Sequence, residues 1–113
     1  MTMPALRIAR VLQMLGLARK SGSLEVGQDR ALTLRVRGIT FLTTEDCADA
    51  VLRKIEHRVS TGGHTHHIIP GVTREELGNA VGVSSAQILA LPSDSGFAKK
   101  IAELLEQGAC INE

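Results

Sequence analysis

The chain contains no tryptophan, no tyrosine and only two phenylalanines, Phe41 and Phe97. Readers of single-stranded nucleic acid stack bases on aromatic side chains, so this scarcity speaks against an RNA-recognition-motif or OB-type surface. Cysteine is almost as rare. Cys47 and Cys110 are too few for a disulfide framework and show no zinc-knuckle or redox spacing, so both read as reduced thiols. Long apolar runs are missing, and the first residues lack the apolar core of a secretory signal, which points to a soluble, cytoplasmic chain with no membrane partner. Phosphate-binding fingerprints are missing too. Gly16, Gly22 and Gly27 are five or six residues apart, and no Gly-Lys-Ser/Thr or Gly-x-Gly follows a strand, so neither a P-loop nor a dinucleotide fold is indicated. No nucleophile is paired with a base and an orienting acid, and Cys47 beside Asp46 reads as a helix-start residue rather than a catalytic thiol. The chain therefore reads as a non-enzyme that needs no cofactor.

What is present is an ordinary globular composition with an uneven charge distribution. The 113 residues, 43% apolar and 22% charged, fit one domain over 1–113 with a loose tail from about residue 108. Residues 1–37 hold seven bases (Arg7, Arg10, Arg19, Lys20, Arg30, Arg35, Arg37) against two acids (Glu25, Asp29). The remainder holds six bases against ten acids, so a near-neutral total conceals a balance of +5 followed by −4. A basic end of this kind suits an anionic partner, of which a nucleic-acid backbone is the commonest.

The local patterns give strands alternating with helices. Pro4 suits a first helical turn with Thr2 as its cap. From there Leu6, Ile8, Val11, Leu12, Leu15 and Ala18 recur at helical spacing, up to a C-terminus at Arg19 and Lys20 with Gly22 as a left-handed cap. Residues 23–26 form a short strand candidate, and Gly27 opens the next segment. Across 28–37, Leu32, Leu34 and Val36 alternate with Thr33, Arg35 and Arg37, which by itself indicates a strand. Residues 39–43 read as a buried strand, followed by a helix capped at Thr44, Glu45 and Asp46 that closes at Gly62 and Gly63. A strand over 64–69 stops at Pro70, a capping box at Thr73 and Glu76 starts a short helix, 87–91 is another buried strand, and Ser93 or Asp94 caps a last helix. This order predicts an α/β sandwich, a small sheet covered on both faces.

Four histidines, His57, His64, His66 and His67, suggest a metal site, but within a strand His64 and His66 face one way and His67 the other, while zinc requires three or four convergent ligands. No metal centre is expected.

Three runs carry a resemblance: LGLARKSGSLEVGQ at 15–28, EELGNAVG at 75–82 and SDSGFAKKI at 93–101. In register along nearly the whole chain, they resemble the kink-turn-binding ribosomal protein family, L-seven-Ae and L-thirty-e, and within it the bacterial YlxQ-type branch. The resemblance implies a three-layer α/β/α sandwich around a four-stranded mixed sheet. It also implies a non-catalytic protein that clamps the bend of a structured RNA, ribosomal RNA or another kink-turn RNA, in association with the ribosome. It makes residues 28–35 a helix, against the alternation above. Gly27 matches the glycine that opens that helix, and Asp29, Arg30 and Thr33 stand where the family has Asn, Glu and Lys contacting the paired G and A bases. Asp29 brings a negative charge toward phosphate, Arg30 reverses a sign while gaining a bidentate donor for guanine, and Thr33 removes a cation. Arg35 and Arg37 are placed to hold backbone phosphates. A second contact region corresponds to Val83, Ser84, Ser85 and Ala86, which would pack on the protruding base. The candidate RNA-binding set is thus Lys20, Gly27, Gln28, Asp29, Arg30, Thr33, Arg37, Val83, Ser84, Ser85 and Ala86. The competing reading, favoured by Asp29 and Thr33, is a diverged relative that has lost RNA affinity and serves as a protein-interaction module.

Overall fold

A computed structural model describes residues 3–36 and 38–110, with side chains described for 6–36 and 38–106. The first element is helix α1, Met3–Lys20. Its core stripe consists of Val11, Leu15 and Ala18, all fully buried, whereas Leu6, assigned to that stripe by its spacing, is 51% exposed. The helix ends as a Schellman turn: Gly22, at φ 82°, donates its N–H to the Arg19 carbonyl, and Ser23 donates to that of Ala18. The proposed Thr2 cap lies outside the described residues, as does Arg37.

Four strands follow the alternation closely. They are β1 (Glu25–Val26), β2 (Ile39–Thr44), β3 (Thr65–Ile69) and β4 (Ile88–Pro92). They form one mixed sheet in the order β1-β4-β2-β3, with β2 and β3 parallel and β4 antiparallel to both β1 and β2. Both interior strands are buried on both faces, and side chains alternate between two cores. Ile39 and Phe41 of β2 and Ile88 and Ala90 of β4 face one core; Leu42, Leu89 and Leu91 face the other. The first core is covered by α2 (Gln28–Ala31) and α3 (Asp49–Thr61), through Ala31, Val51 and Ile55. The second is covered by α1, α4 (Arg74–Val81) and α5 (Gly96–Cys110), through Leu15, Leu77 and Ile101. The result is the three-layer α/β/α sandwich around a four-stranded mixed sheet that the resemblance implies.

Two helix starts differ from the sequence reading. Thr44 closes β2, and Glu45 and Asp46 are used to join two loops: Glu45 Oε1 accepts from the Gly71 N–H at 3.0 Å, and Arg74 donates to the Asp46 carbonyl. Helix α3 consequently begins at Asp49, and the Ala48 N–H before it donates to Gln87 Oε1 at 2.9 Å. At α5 the cap is Ser95, whose Oγ accepts from the Ala98 N–H, because Ser93 is held in a hydrogen bond with Thr40. The capping box at Thr73 and Glu76 is present with both reciprocal bonds, and Gly82 takes the left-handed cap at φ 87°. Helix α5 is traced to Cys110, and the end of the expected tail, 111–113, lies outside the described residues.

Helix α4 presses its backbone onto the loop that precedes β4. A Cβ placed on Gly78 would lie 2.5 Å from Ser85 Cα, well inside van der Waals contact. Alanine ordinarily stabilises a helix interior by about 1 kcal/mol over glycine, whereas forced overlap in a packed region costs about 1–3 kcal/mol, and here the obstacle is backbone that cannot rotate aside. Gly78→Ala is therefore expected to destabilise the fold by about 1–2 kcal/mol in urea unfolding. A neutral or stabilised variant would show that this contact is looser than the structure makes it.

Candidate functional site

Gly27 adopts φ 93°, ψ 156°, a backbone conformation that costs glycine little and other residues much. Its N–H donates to the Ile88 carbonyl at 3.1 Å, the last ladder bond between β1 and β4, and its own carbonyl accepts from Ala31 as α2 begins. No side chain caps this helix.

The helix is a single turn rather than the 28–35 helix of the resemblance, and the stretch after it is not a strand either. Leu32 and Leu34 both pack against the α2/α3 core. Two residues apart in an α-helix, they would point to nearly opposite sides, so continuing the helix would pull one of them out. The chain leaves the helix at Leu32, where the Thr33 hydroxyl donates to the Asp29 carbonyl at 2.6 Å. Beyond it, the freed carbonyls of Leu32 and Leu34 are both taken by the guanidinium of Arg58 from α3, the second at 3.0 Å. A side-chain fork stands where a neighbouring strand would have donated. The same guanidinium lies over the Phe41 ring, 5.7 Å from its centroid.

The loop with Val83, Ser84, Ser85 and Ala86 leads into the start of β4, the strand end to which Gly27 is bonded. The fold therefore brings the Gly27 turn and this loop to one end of the sheet. Gln28, Asp29 and Arg30 are exposed, as are Ser84 and Ser85. Ala86 is buried, held by a bond from its N–H to the Arg74 carbonyl, and Val83 is half-buried against the larger core. Arg30 leans on Glu25 at 3.6 Å with its side chain 76% exposed, a pair of the kind worth under about 1 kcal/mol that leaves the arginine free to exchange partners. Lys20, with Arg19, borders a groove of about 690 Å³ between α1 and α4 that reaches Gly82, next to the loop.

The basic N-terminal third does not form a single patch. Arg19 and Lys20 belong to the α1/α4 side of the sheet, whereas Arg35 lies on the opposite side, in a cleft with Arg58. Arg58, the side chain that shapes this region, was not among the candidates, because it sits in the acid-rich part of the chain and its partner is main-chain carbonyl. Its only trace in the sequence is the Arg53, Lys54, His57, Arg58 spacing along one helix.

Two histidines serve as structural acceptors or donors. His64 Nδ1 accepts the Ile39 N–H at 3.0 Å and its ring meets Phe41 edge-on, while His66 Nε2 bonds the Thr43 hydroxyl at 2.8 Å. Among the described residues, no three His, Cys, Asp or Glu side chains converge as metal ligands. Burial pushes both histidines below their ordinary value, helped by Arg58 at His64 and by His67 at His66. Burial likewise pushes the Cys47 thiol up, as befits an unreactive core cysteine.

No protein-family model matches the chain, and no curated protein matches it. Solved structures do. A protein with unknown function from Bacillus halodurans C superimposes with a TM-score of 0.69 at 21% identity, over 87% of this chain and 98% of its own. The Giardia lamblia 15.5kD RNA binding protein superimposes with a TM-score of 0.59 at 13% identity, over 98% of this chain and 92% of its own. At these identities the likeness establishes a shared fold, and the fold is L-thirty-e-like.

Two tests follow from this geometry. A histidine held below its ordinary value binds its proton more readily when unfolded, so stability is complete above that value, 6.5, and declines as pH falls through it toward the lowered one. Unfolding midpoints across this range should show the decline, and His66→Asn should make it shallower, leaving the share of His64; an unchanged slope counts against the assignment. Separately, Arg58→Lys replaces a planar fork, whose two nitrogens each serve one carbonyl, by a single nitrogen, and should cost about 1–3 kcal/mol while speeding amide exchange around Leu34 and Arg35. Undisturbed exchange there would mean the guanidinium clamp is dispensable.

Proposed function

We propose that this chain is a non-catalytic RNA-binding protein that recognises the bent shape of a kink-turn-like RNA, in the manner of the L-seven-Ae family and its YlxQ-type branch, with ribosomal RNA or a similarly folded RNA as partner. The reading is carried by one observation: the Gly27 turn and the loop holding Ser84 and Ser85 meet at the same end of β4, so a ligand can touch both without either moving. Shape is the property such a surface can read, since the scarcity of aromatic side chains leaves no stacking platform. The RNA-binding description of the Giardia structure agrees with this reading.

Within the turn, Arg30 is the base-reading candidate, being exposed and only weakly tethered to Glu25. Its guanidinium can offer two parallel donors to guanine O6 and N7. Thr33 contributes differently from the residue it replaces in the family pattern, because its hydroxyl is bound to α2. It shapes the turn and brings no charge to it.

A second reading, a protein-interaction module, draws on the α1/α4 groove, where Leu17 is 55% exposed beside Leu12 and Ala80. The two differ in their response to RNA. Binding of a kink-turn RNA and a straight duplex of equal length, measured across a salt series, should favour the bent RNA and weaken steeply as salt rises. Arg30→Ala should remove most of the preference, a loss of about 1–3 kcal/mol. Equal affinity for both RNAs would exclude shape recognition, and binding to neither would leave the interaction-module reading.

A further inference from the structure

The exposed flank of α3 carries Arg53, Lys54 and His57, which the helical repeat places side by side, and all three are exposed. They line one wall of a cleft of about 400 Å³ whose other wall is Leu32. An adjoining cleft of about 360 Å³, sharing Leu32 and Arg58, adds Thr33 and Arg35. No acidic side chain lines either cleft, and none of these cations is in an ion pair among the described residues. Of the two acids on α3, Asp49 lies one turn before Arg53 and lines neither cleft. Glu56 falls on the flank toward β3, where its charge is felt by His66.

We infer that this face of α3 is a second contact surface for the same RNA, taking the phosphodiester backbone of a stem that continues past the bend. The proposal rests on the RNA-binding reading above. Three observations support it. Charge is complementary to phosphate, with Arg53 and Lys54 lining one open cleft and Arg35 the adjoining one, both free of carboxylates. The surface is continuous with the Gly27 turn, because Thr33, which lines the cleft, is hydrogen-bonded to Asp29 of α2. The wall carrying Arg35 is fixed to the wall carrying Arg53 by the bonds from Arg58 to the Leu32 and Leu34 carbonyls, so the two backbone segments that bear these cations are already joined before any ligand arrives. Neither aromatic stacking nor a glycine loop is present to single out a free nucleotide, and an extended row of exposed cations suits a polymer backbone.

The test compares the full-length chain with R53Q/K54Q, using kink-turn RNAs that carry a long or a short stem. The unaltered chain should bind the long-stem RNA more tightly. In R53Q/K54Q that advantage should vanish, and the slope of log K against log salt should shrink by about two, one for each phosphate that is no longer neutralised. Preference for bent over straight RNA should persist, as it belongs to Arg30. An unchanged slope and an unchanged long-stem advantage would overturn this proposal while leaving the RNA-binding reading intact. Loss of slope in R53Q/K54Q on RNAs bound without regard to bending would sustain the phosphate surface and remove the kink-turn reading. Binding to no RNA at all would overturn both. Circular dichroism and unfolding midpoints equal to those of the parent chain establish that the exposed substitutions leave the fold in place.

Discussion

β4 is paired on both of its edges, with β1 on one side and β2 on the other. With both edges occupied and both faces buried, its side chains must serve two cores in turn, Ile88 and Ala90 for one, Leu89 and Leu91 for the other. A slip of one residue would exchange the two sets and put Gly27 opposite the wrong carbonyl. The register of this strand therefore fixes the distance between the Gly27 turn and the loop before β4. Gly78 supports the same placement from α4, since only a residue without a side chain lets that helix lie directly on the backbone at Ser85.

The opposite layer is organised by Arg58. It is a half-buried cation whose charge is answered by two carbonyls and an aromatic face rather than by a carboxylate. Such an arrangement satisfies the main chain where helix has ended and no strand has begun, at a smaller desolvation cost than a buried ion pair. It also leaves the positive character of the region uncancelled. The clamp and the charge of the α3 clefts thus have a common origin, and the clamp satisfies the carbonyls that the one-turn length of α2 leaves free.

Much of the fold was legible in order and type. Apolar spacing in α1, the β-branched run of β2, and the Thr73 capping box each act over a few residues and came through in the structure. The misread positions share a different cause. Thr44, Glu45 and Asp46 look like a cap, yet two of them bond to Gly71 and Arg74, 26 and 28 residues away. The 28–37 segment alternates like a strand because Leu32 and Leu34 do face one core, but nothing local says that an arginine on α3 will take the place of a strand partner.

By itself the sequence determined the layers, the sheet and the presence of an excess of base in the first third, because hydrophobic period, capping and composition are properties of neighbours in the chain. Only the tertiary structure decided where that charge goes. It separates Lys20 from Arg35 by the thickness of the sheet and joins Arg35 to Arg53 and Lys54 from the acidic part of the chain. Charges repel or attract according to distance in space, and sequence separation carries little information about that distance once helices pack on both sides of a sheet.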